Sequence, residues 1–419
     1  MVPFRKGRRK LSYGSTFGGL ETAMWTLAKD LADISGVQVT CFVTAPSGTN
    51  GGTPWPSEVD GVRLDLDVDR FRGIRHSVGE SIDVSGLRLR KFSPHLLWQI
   101  PLLAATYPFR DRDPVDCHPD PRLAGKGIDA WVTFGVNAAS SRVVATASAE
   151  NTPAFVCIQS NAGLEDSLLS KEETINECGE SSFSRRYALM ECHRVVAQSE
   201  WQLNRLKQSF QREGLLARNP IDPADWCPPY QSEAPASLRD PFDVLWIGRY
   251  DDFHKRPLMM LEVARKLPHV SFKMIANPFD EHIESQVRKD VPKNVDLIDR
   301  VPFERMPAVF GSASVFVSTG SVQHEGFPNV LLQSAASHTP IVSTCDHDNF
   351  LRRSGAGVSC DDSIDRLASS IEDQLQSPII DWRRVDEYLN EFHYSPNIAK
   401  EFANWINDAI RDEGRTKRS

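Results

Sequence analysis

The sequence predicts an α/β protein built from two doubly wound parallel sheets facing a cleft. Three observations carry this. Short apolar, β-rich runs alternate with segments of helical period along the chain. The alternation stops at a cluster of prolines and then restarts. The length, 419 residues, suits two or three domains with real cores.

The first block opens with a helix. Leu20, Met24, Leu27, Leu31 and Ile34 recur at three- and four-residue steps. Val37–Thr44, Ala130–Phe134, Ala154–Ile158 and Arg194–Ala197 read as strands. Ser199 with Gln202 three residues on is a capping-box signature for a helix through Phe210, and a purely structural cap accounts for it. The segment 60–127 has no clear period and reads as long loops of the first domain. Pro220, Pro223, Pro228, Pro229, Pro235 and Pro241 mark the connection between domains. Beyond them Val244–Ile247, Val270–Ala276, Val295–Val301, Ser314–Ser318 and Pro340–Thr344 read as strands, with helices over Pro257–Leu267 and Asn329–Ser337. Residues 385–410 have helical periods containing Trp405 and Ile406.

Composition excludes several classes. Apolar residues make up 40% and charged residues 25%, as in ordinary globular chains. The net charge of −8 argues against a globally basic nucleic-acid binder. No run of about 18 apolar residues suggests a membrane span. The eight cysteines form no C-x-x-C pair and, with the histidines, no zinc-like spacing, so they read as free thiols. Arg5, Lys6, Arg8, Arg9 and Lys10 are followed by no apolar segment and do not read as a secretory leader. That cluster can touch anionic headgroups, but stable attachment also needs an apolar anchor. The expected compartment is cytoplasmic, with peripheral contact at the inner face of the membrane as an option.

Ligands of doubly wound sheets bind beyond the carboxyl ends of the strands. Three places there carry suitable chemistry. A strand ends at Ile247, Gly248 lets the chain turn, and Arg249 and Lys255 follow, with Arg256 beside the latter; such cations can hold a diphosphate, or be ordinary solvated charges. Glu325-Gly326-Phe327-Pro328-Asn329 precedes a helix whose free N–H groups make an anion site, while a carboxylate there suits sugar hydroxyls. Gln333 lies eight residues after Glu325 and can both donate and accept. Gly18-Gly19 precedes the first helix, with Glu21 behind, and allows close backbone approach. Asp65-Leu66-Asp67-Val68-Asp69 holds an Asp-x-Asp pair; an alternating strand explains it as well as a metal does.

Taken in order, Gly18-Gly19-x-Glu21, Val195-Val196-Ala197-Gln198-Ser199, Asn219-Pro220-Ile221-Asp222, Gly248-Arg249 with Lys255, and Glu325-Gly326-Phe327-Pro328-Asn329 resemble family 4 glycosyltransferases of the GT-B fold. The resemblance runs from about residue 14 to about residue 360 and is most specific in the second half. It implies two Rossmann-like domains: 1–218 for the acceptor, 219–384 for a nucleotide-sugar donor, and a helix over 385–419 crossing back. It implies retention of anomeric configuration without a metal or other cofactor. Arg249 and Lys255 would clamp the diphosphate and Glu325 would face the donor sugar. Gly326, Phe327, Asn329 and Val330 would offer backbone groups, and Gly18 and Gly19 would approach from the other domain. Donor-binding Gln333 replaces the second glutamate of the Glu-x7-Glu pattern, forgoing charge assistance at the ribose. Gln159-Ser160-Asn161 and Phe134-Gly135-Val136-Asn137 stand at turns where the family often has a histidine, leaving Asn161 and Asn137 both open as hydroxyl partners.

The preferred expectation is hexose transfer from a nucleoside-diphosphate sugar to a hydroxyl of a glycan, lipid-linked sugar or small molecule, with no nucleic-acid partner. A catalytically inactive binding or regulatory module on the same scaffold is the alternative. Architecture alone would also admit an epimerase or a phosphorylase.

Overall fold

A computed structural model describes residues 19–45, 49–50, 53–68, 70–83, 88–89, 92–106, 115–176, 179–228, 233–321 and 325–416. The basic cluster 5–10, Gly18, Asp69 and Cys178 lie outside these residues. The described chain forms two compact units, 28–114 and 19–27 with 115–416; helix α1 (Gly19–Ala32) contributes to each.

In the first unit, β1 (Thr40–Ala45) pairs in parallel with β5 (Val62–Val68), which also pairs antiparallel with β4 (Glu58–Val59). Asp65 and Asp67 lie within β5. Two short hairpins, β2 (Thr49–Asn50) with β3 (Thr53–Pro54) and β6 (Ile82–Asp83) with β7 (Arg88–Leu89), complete its strands. Its helices are α2 (Arg70–Ser81) and α3 (Leu96–Thr106), so the segment that lacked a readable period holds real helices.

The second unit contains two parallel sheets. The first has order β11-β10-β9-β8: β8 (Trp131–Phe134), β9 (Ala154–Cys157), β10 (Arg194–Ala197) and β11 (Gly214–Leu216). Helices α4 (Ala138–Glu150), α5 (Ser182–Glu191) and α6 (Glu200–Phe210) accompany it. Asn137 caps α4 by accepting from the Ser140 N–H at 2.9 Å, and Ser199 caps α6 by accepting from the Gln202 N–H at 3.2 Å. The short helix α7 (Pro223–Trp226) lies in the proline-rich connection.

The second sheet has six parallel strands: β12 (Phe242–Arg249), β13 (Phe272–Asn277), β14 (Val295–Ile298), β15 (Ala313–Ser318), β16 (Ile341–Ser343) and β17 (Gly357–Ser359). Their order is β14-β13-β12-β15-β16-β17, the 3-2-1-4-5-6 pattern of doubly wound sheets. The strand order therefore reverses between β12 and β15. Both faces are covered, which explains the continuous apolar runs. Val244 and Trp246 enter one core with Met260 and Leu367; Leu245 and Phe316 enter the other with Leu331 and Leu389. The covering helices are α8 (Pro257–Lys266), α9 (Glu281–Lys289), α10 (Met306–Gly311), α11 (Asn329–Ala336), α12 (Phe350–Ser354) and α13 (Ile364–Gln376).

Helices α14 (Trp382–Phe392) and α15 (Ser395–Thr416) end the chain. Phe402 of α15 meets Phe155 of β9 with ring centroids 5.7 Å apart, so the last helix packs on the four-stranded sheet. The chain thus passes between the sheets twice, and the two passages pair. The Ile221 N–H donates to the His393 carbonyl at 2.8 Å, and the Ser395 N–H to the Ile221 carbonyl at 3.0 Å. Beside them Arg218 reaches Glu200 at 2.9 Å and Asp348 at 3.1 Å, while Arg353 grips Glu200 with two bonds of 2.7 and 3.0 Å. The side chains of Arg218 and Asp348 are largely covered, so this cluster is screened less than a surface pair.

His393 is buried among the rings of Phe327, Phe350 and Tyr388, each centroid within 5.7 Å. Its Nδ1 lies 3.0 Å from the Asn219 carbonyl. Burial pushes its pKa down to about 3, and that of buried His347 down to about 4. Both stay neutral in the folded protein at pH 5, whereas the unfolded chain takes up protons below about 6.5. Stability is therefore full above pH 6.5 and is lost as pH falls from there. Each histidine should cost about 2 kcal/mol of stability between pH 7 and 5. Urea unfolding at the two pH values checks this. His393→Phe should lose stability at pH 7 through the missing hydrogen bond, yet show a flatter pH dependence.

Candidate active site

The strand order reverses at β12 and β15, and the loops after these two strands hold the predicted cations and the predicted carboxylate. Arg249 is the last residue of β12. Its guanidinium is held from two sides. Nε and Nη2 donate to Asp251 Oδ2 at 2.9 and 2.8 Å, and the group lies 4.0 Å over the Phe279 ring. Asp251 is buried and also accepts from the backbone N–H groups of Phe253 and His254, at 2.9 and 3.1 Å. Burial pushes the Asp251 carboxyl up, but those N–H groups and the Arg249 and His254 charges outweigh it and hold the group below the usual carboxylate range. His254 Nδ1 sits 2.8 Å from the same carboxylate and 3.2 Å from Arg249 Nη2.

Lys255 forms an ion pair with Glu325 Oε1, and the carboxylate is largely buried. Glu325 Oε2 is buried with no hydrogen-bond partner among the described residues. The paired cation offsets part of the desolvation cost of this charge. Two glycines make the space. A side chain at Gly320 would strike the Glu325 carboxylate, and one at Gly248 would strike the Trp246 ring.

A latch joins the two loops. Buried Trp246 donates its indole N–H to Thr319 Oγ1 at 2.8 Å, and that hydroxyl donates to the Lys255 carbonyl at 2.5 Å. Arg256, whose φ of 51° places it in the left-handed region, turns its side chain into the same loop. It bonds the Thr319 carbonyl at 2.7 Å, the Gly320 carbonyl at 2.8 Å and Thr344 Oγ1 at 3.1 Å, and pairs with Asp362. Arg256 is therefore a brace for the loop, which the bare proximity to Lys255 did not suggest.

The Glu325–Asn329 segment is tied to the four-stranded sheet by amides. Asn161 Nδ2 donates to the Glu325 carbonyl at 3.0 Å, and Asn161 Oδ1 accepts from Gln202 Nε2 at 3.1 Å. Gln202 in turn accepts from the Gln198 N–H at 2.9 Å, so the capping-box residue reaches one position past its usual target. A side chain at Gly326 would strike the Gln198 amide. Asn219 donates to the Phe327 carbonyl at 3.2 Å and to Asn329 Oδ1 at 2.6 Å; Asn329 Nδ2 donates to the Gly19 carbonyl at 3.0 Å. The Phe327 ring is core, packed on Phe350 at 5.3 Å.

Arg249, Lys255 and Glu325 thus share one locus, with Gly326, Phe327, Asn329 and Val330 on the adjoining loop and first turn of α11. Helix α11 has no side-chain cap, which leaves its first N–H groups for an anion. Gln333 is buried one turn beyond Asn329, on the same helix face. Gly19 lies against Asn329; Gly18 is outside the described residues. Of the two open asparagines, Asn161 joins the locus, while Asn137 spends its amide on α4 and on the Phe134 carbonyl at 3.3 Å. Sequence reasoning missed Asp251, Thr319 and Asn219 as supports. An acidic residue two positions after Arg249 is a local signal for the first; nothing local marks Thr319. It also missed Cys345 and His347, whose Sγ and Nε2 lie 3.0 Å apart beside this loop. Burial drives the thiol up to about 12 and the imidazole down, so both are neutral there.

Thr319→Val keeps the shape but orphans the Trp246 N–H. It should destabilise the protein by about 1–3 kcal/mol, whereas Thr319→Ser, which keeps the hydroxyl, should cost less. Thermal unfolding of the two variants checks the difference.

Comparison with known proteins adds three findings. Residues 241–377 match the family model described as glycosyl transferases group 1. No curated protein matches the sequence. The fold is similar to that of sucrose-phosphate synthase from Thermosynechococcus elongatus, with TM-score 0.64 and 14% identity over 94% of each chain. It is also similar to Anabaena HepE, a structure in complex with UDP and glucose, with TM-score 0.59 and 12% identity over 93% of this chain and 96% of that one. The chain spans about half the length of another match, Staphylococcus aureus TarM, covering 51% of it with TM-score 0.47. The full-length similarities establish the GT-B fold, and the family match covers the segment that carries Arg249, Lys255, Glu325 and Gln333.

Proposed function

We propose that the protein is a retaining, metal-independent glycosyltransferase that moves a hexose from a nucleoside-diphosphate sugar to a hydroxyl of a glycan, lipid-linked sugar or small molecule. One observation carries the reading. Two cations and one buried carboxylate converge where the strand order of a 3-2-1-4-5-6 sheet reverses, inside the segment that matches the group 1 model.

The division of labour follows from charge. Transfer builds negative charge on the leaving diphosphate, and fixed cations stabilise that charge at little reorganisation cost. Arg249 is prepositioned by Asp251 and Phe279, with a fork of donors for the phosphates. Lys255 answers the buried Glu325 before any ligand arrives and would face the phosphate once one does. Glu325 has a spare oxygen that can accept from sugar hydroxyls. The uncapped start of α11 would take part of the diphosphate charge. Gln333 would accept one ribose hydroxyl without charge assistance. The resemblance carries the same-face mechanism, in which the leaving phosphate takes the acceptor's proton. The similarity to HepE, solved with UDP and glucose, supports a nucleotide-sugar donor.

The test begins with thermal stability in millimolar UDP, GDP or ADP without added metal. A ligand at about 100 times its Kd should stabilise by about 2.7 kcal/mol, and Arg249→Ala should abolish the shift. Transfer or hydrolysis of the corresponding sugar donor should fall about 100- to 1,000-fold in Arg249→Ala and in Lys255→Ala. Unchanged turnover in both would overturn the clamp. Nucleotide binding with no turnover would leave an inactive module. Inverted anomeric configuration in the product would overturn retention.

A further inference from the structure

Helix α3 breaks the ordinary pattern of a surface helix. An amphipathic helix turns its apolar stripe to the core and polar residues to water. Here Leu96 and Gln99 are the buried residues, and Gln99 is held by Ser77 Oγ at 3.3 Å. The exposed positions are Leu97, Trp98, Ile100, Pro101, Ala104 and Ala105, with no charge among them. Leu97 is 73% exposed, Trp98 50% and Ile100 42%; Phe92, just before the helix, is 64% exposed. Singly exposed apolar residues are common, but a whole helix face of them marks an interaction surface.

The charge of the flanking sequence identifies the partner. Residues 70–112 carry eight Arg and Lys against three Asp and Glu, in a chain whose net charge is −8. Arg88, Arg90 and Lys91 precede the helix and Arg110 and Arg112 follow it. An apolar helix face within a stretch of sequence this rich in cations is complementary to a bilayer surface with anionic headgroups. A second copy is a poorer partner, because a two-fold contact would set the same cations against each other. The helix has 11 residues, about 16 Å at 1.5 Å per residue, against a hydrocarbon core of about 30 Å. No helix among the described residues is long and apolar enough to cross a membrane. The Trp98 indole, bonded to His95 Nδ1 at 3.3 Å, suits the interfacial zone.

We propose that α3 is an in-plane anchor that seats the protein on an anionic lipid surface, its face of Leu97, Trp98 and Ile100 entering the headgroup–acyl boundary. This inference is independent of the transferase reading, and its test needs no substrate. The full-length protein is sedimented with vesicles of phosphatidylcholine and phosphatidylglycerol at 1:1, and with phosphatidylcholine alone. Binding to the mixed vesicles should be at least about tenfold tighter and should weaken with salt. The triple variant Leu97→Glu, Trp98→Glu, Ile100→Glu should lose it with an unchanged circular dichroism spectrum. The reversal Arg88→Glu, Arg90→Glu, Lys91→Glu, which leaves Leu97, Trp98 and Ile100 unchanged, should weaken binding even if the first variant misfolds. Brominated acyl chains should quench the wild-type fluorescence more than that of Trp98→Phe. Absence of binding to mixed vesicles would overturn the proposal. So would wild-type binding by the folded triple variant, which would assign attachment to the basic segment 5–10. Lipid-free self-association that the triple variant abolishes would assign the face to a second copy.

Discussion

A carboxylate that folds into the protein interior has to be answered, and much of the site is the answer to Glu325. Its charge loses water, so a cation must come within contact, and Lys255 supplies it. Lys255 can do so only if the loop after β12 stays beside the loop after β15. The Trp246–Thr319–Lys255 latch and the four contacts of Arg256 hold that register. Gly320 and Gly248 are the positions where any side chain would break the arrangement.

The same loop is restrained from the opposite side. Asn161 and Asn219 take the backbone carbonyls of Glu325 and Phe327, and Asn329 takes that of Gly19. These bonds, the paired passages at Ile221 and Ser395, and the Arg218–Glu200–Asp348–Arg353 cluster join the two sheets of the second unit around one segment. A neutral amide suits this work. It satisfies a carbonyl without adding a second buried charge next to the first. Cys345 and His347, kept neutral by burial, obey the same constraint.

The central strands β12, β13, β15 and β16 were legible because they are buried on both faces, whereas the exposed edge strand β17 gave no such run. Val244, Leu245, Trp246 and Ile247 must all be apolar when alternate residues enter opposite cores, and such a run stands out in a sequence. Helix α6 was legible because Ser199 and Gln202 are local signals, although Gln202 then serves Gln198 and Asn161 as well. The segment 60–127 was not. Helix α3 has apolar residues on its outer face as well as its inner one, so the expected helical contrast is missing.

By itself the sequence determined which residues carry charge, where backbone could approach closely, and the order of the main strands outside 60–127, because these rest on local chemistry and periodicity. It therefore named Arg249, Lys255, Glu325 and the glycines beside them. The tertiary structure alone decided that Lys255 meets Glu325, that Arg256 faces into the loop, that Asn161 rather than Asn137 reaches the site, and that Asp251 holds Arg249. Asn161 and Glu325 are 164 positions apart, and their bond exists only because two sheets place their strand ends together. No local pattern encodes such a contact, since its geometry is set by packing and its energy by the burial that packing creates.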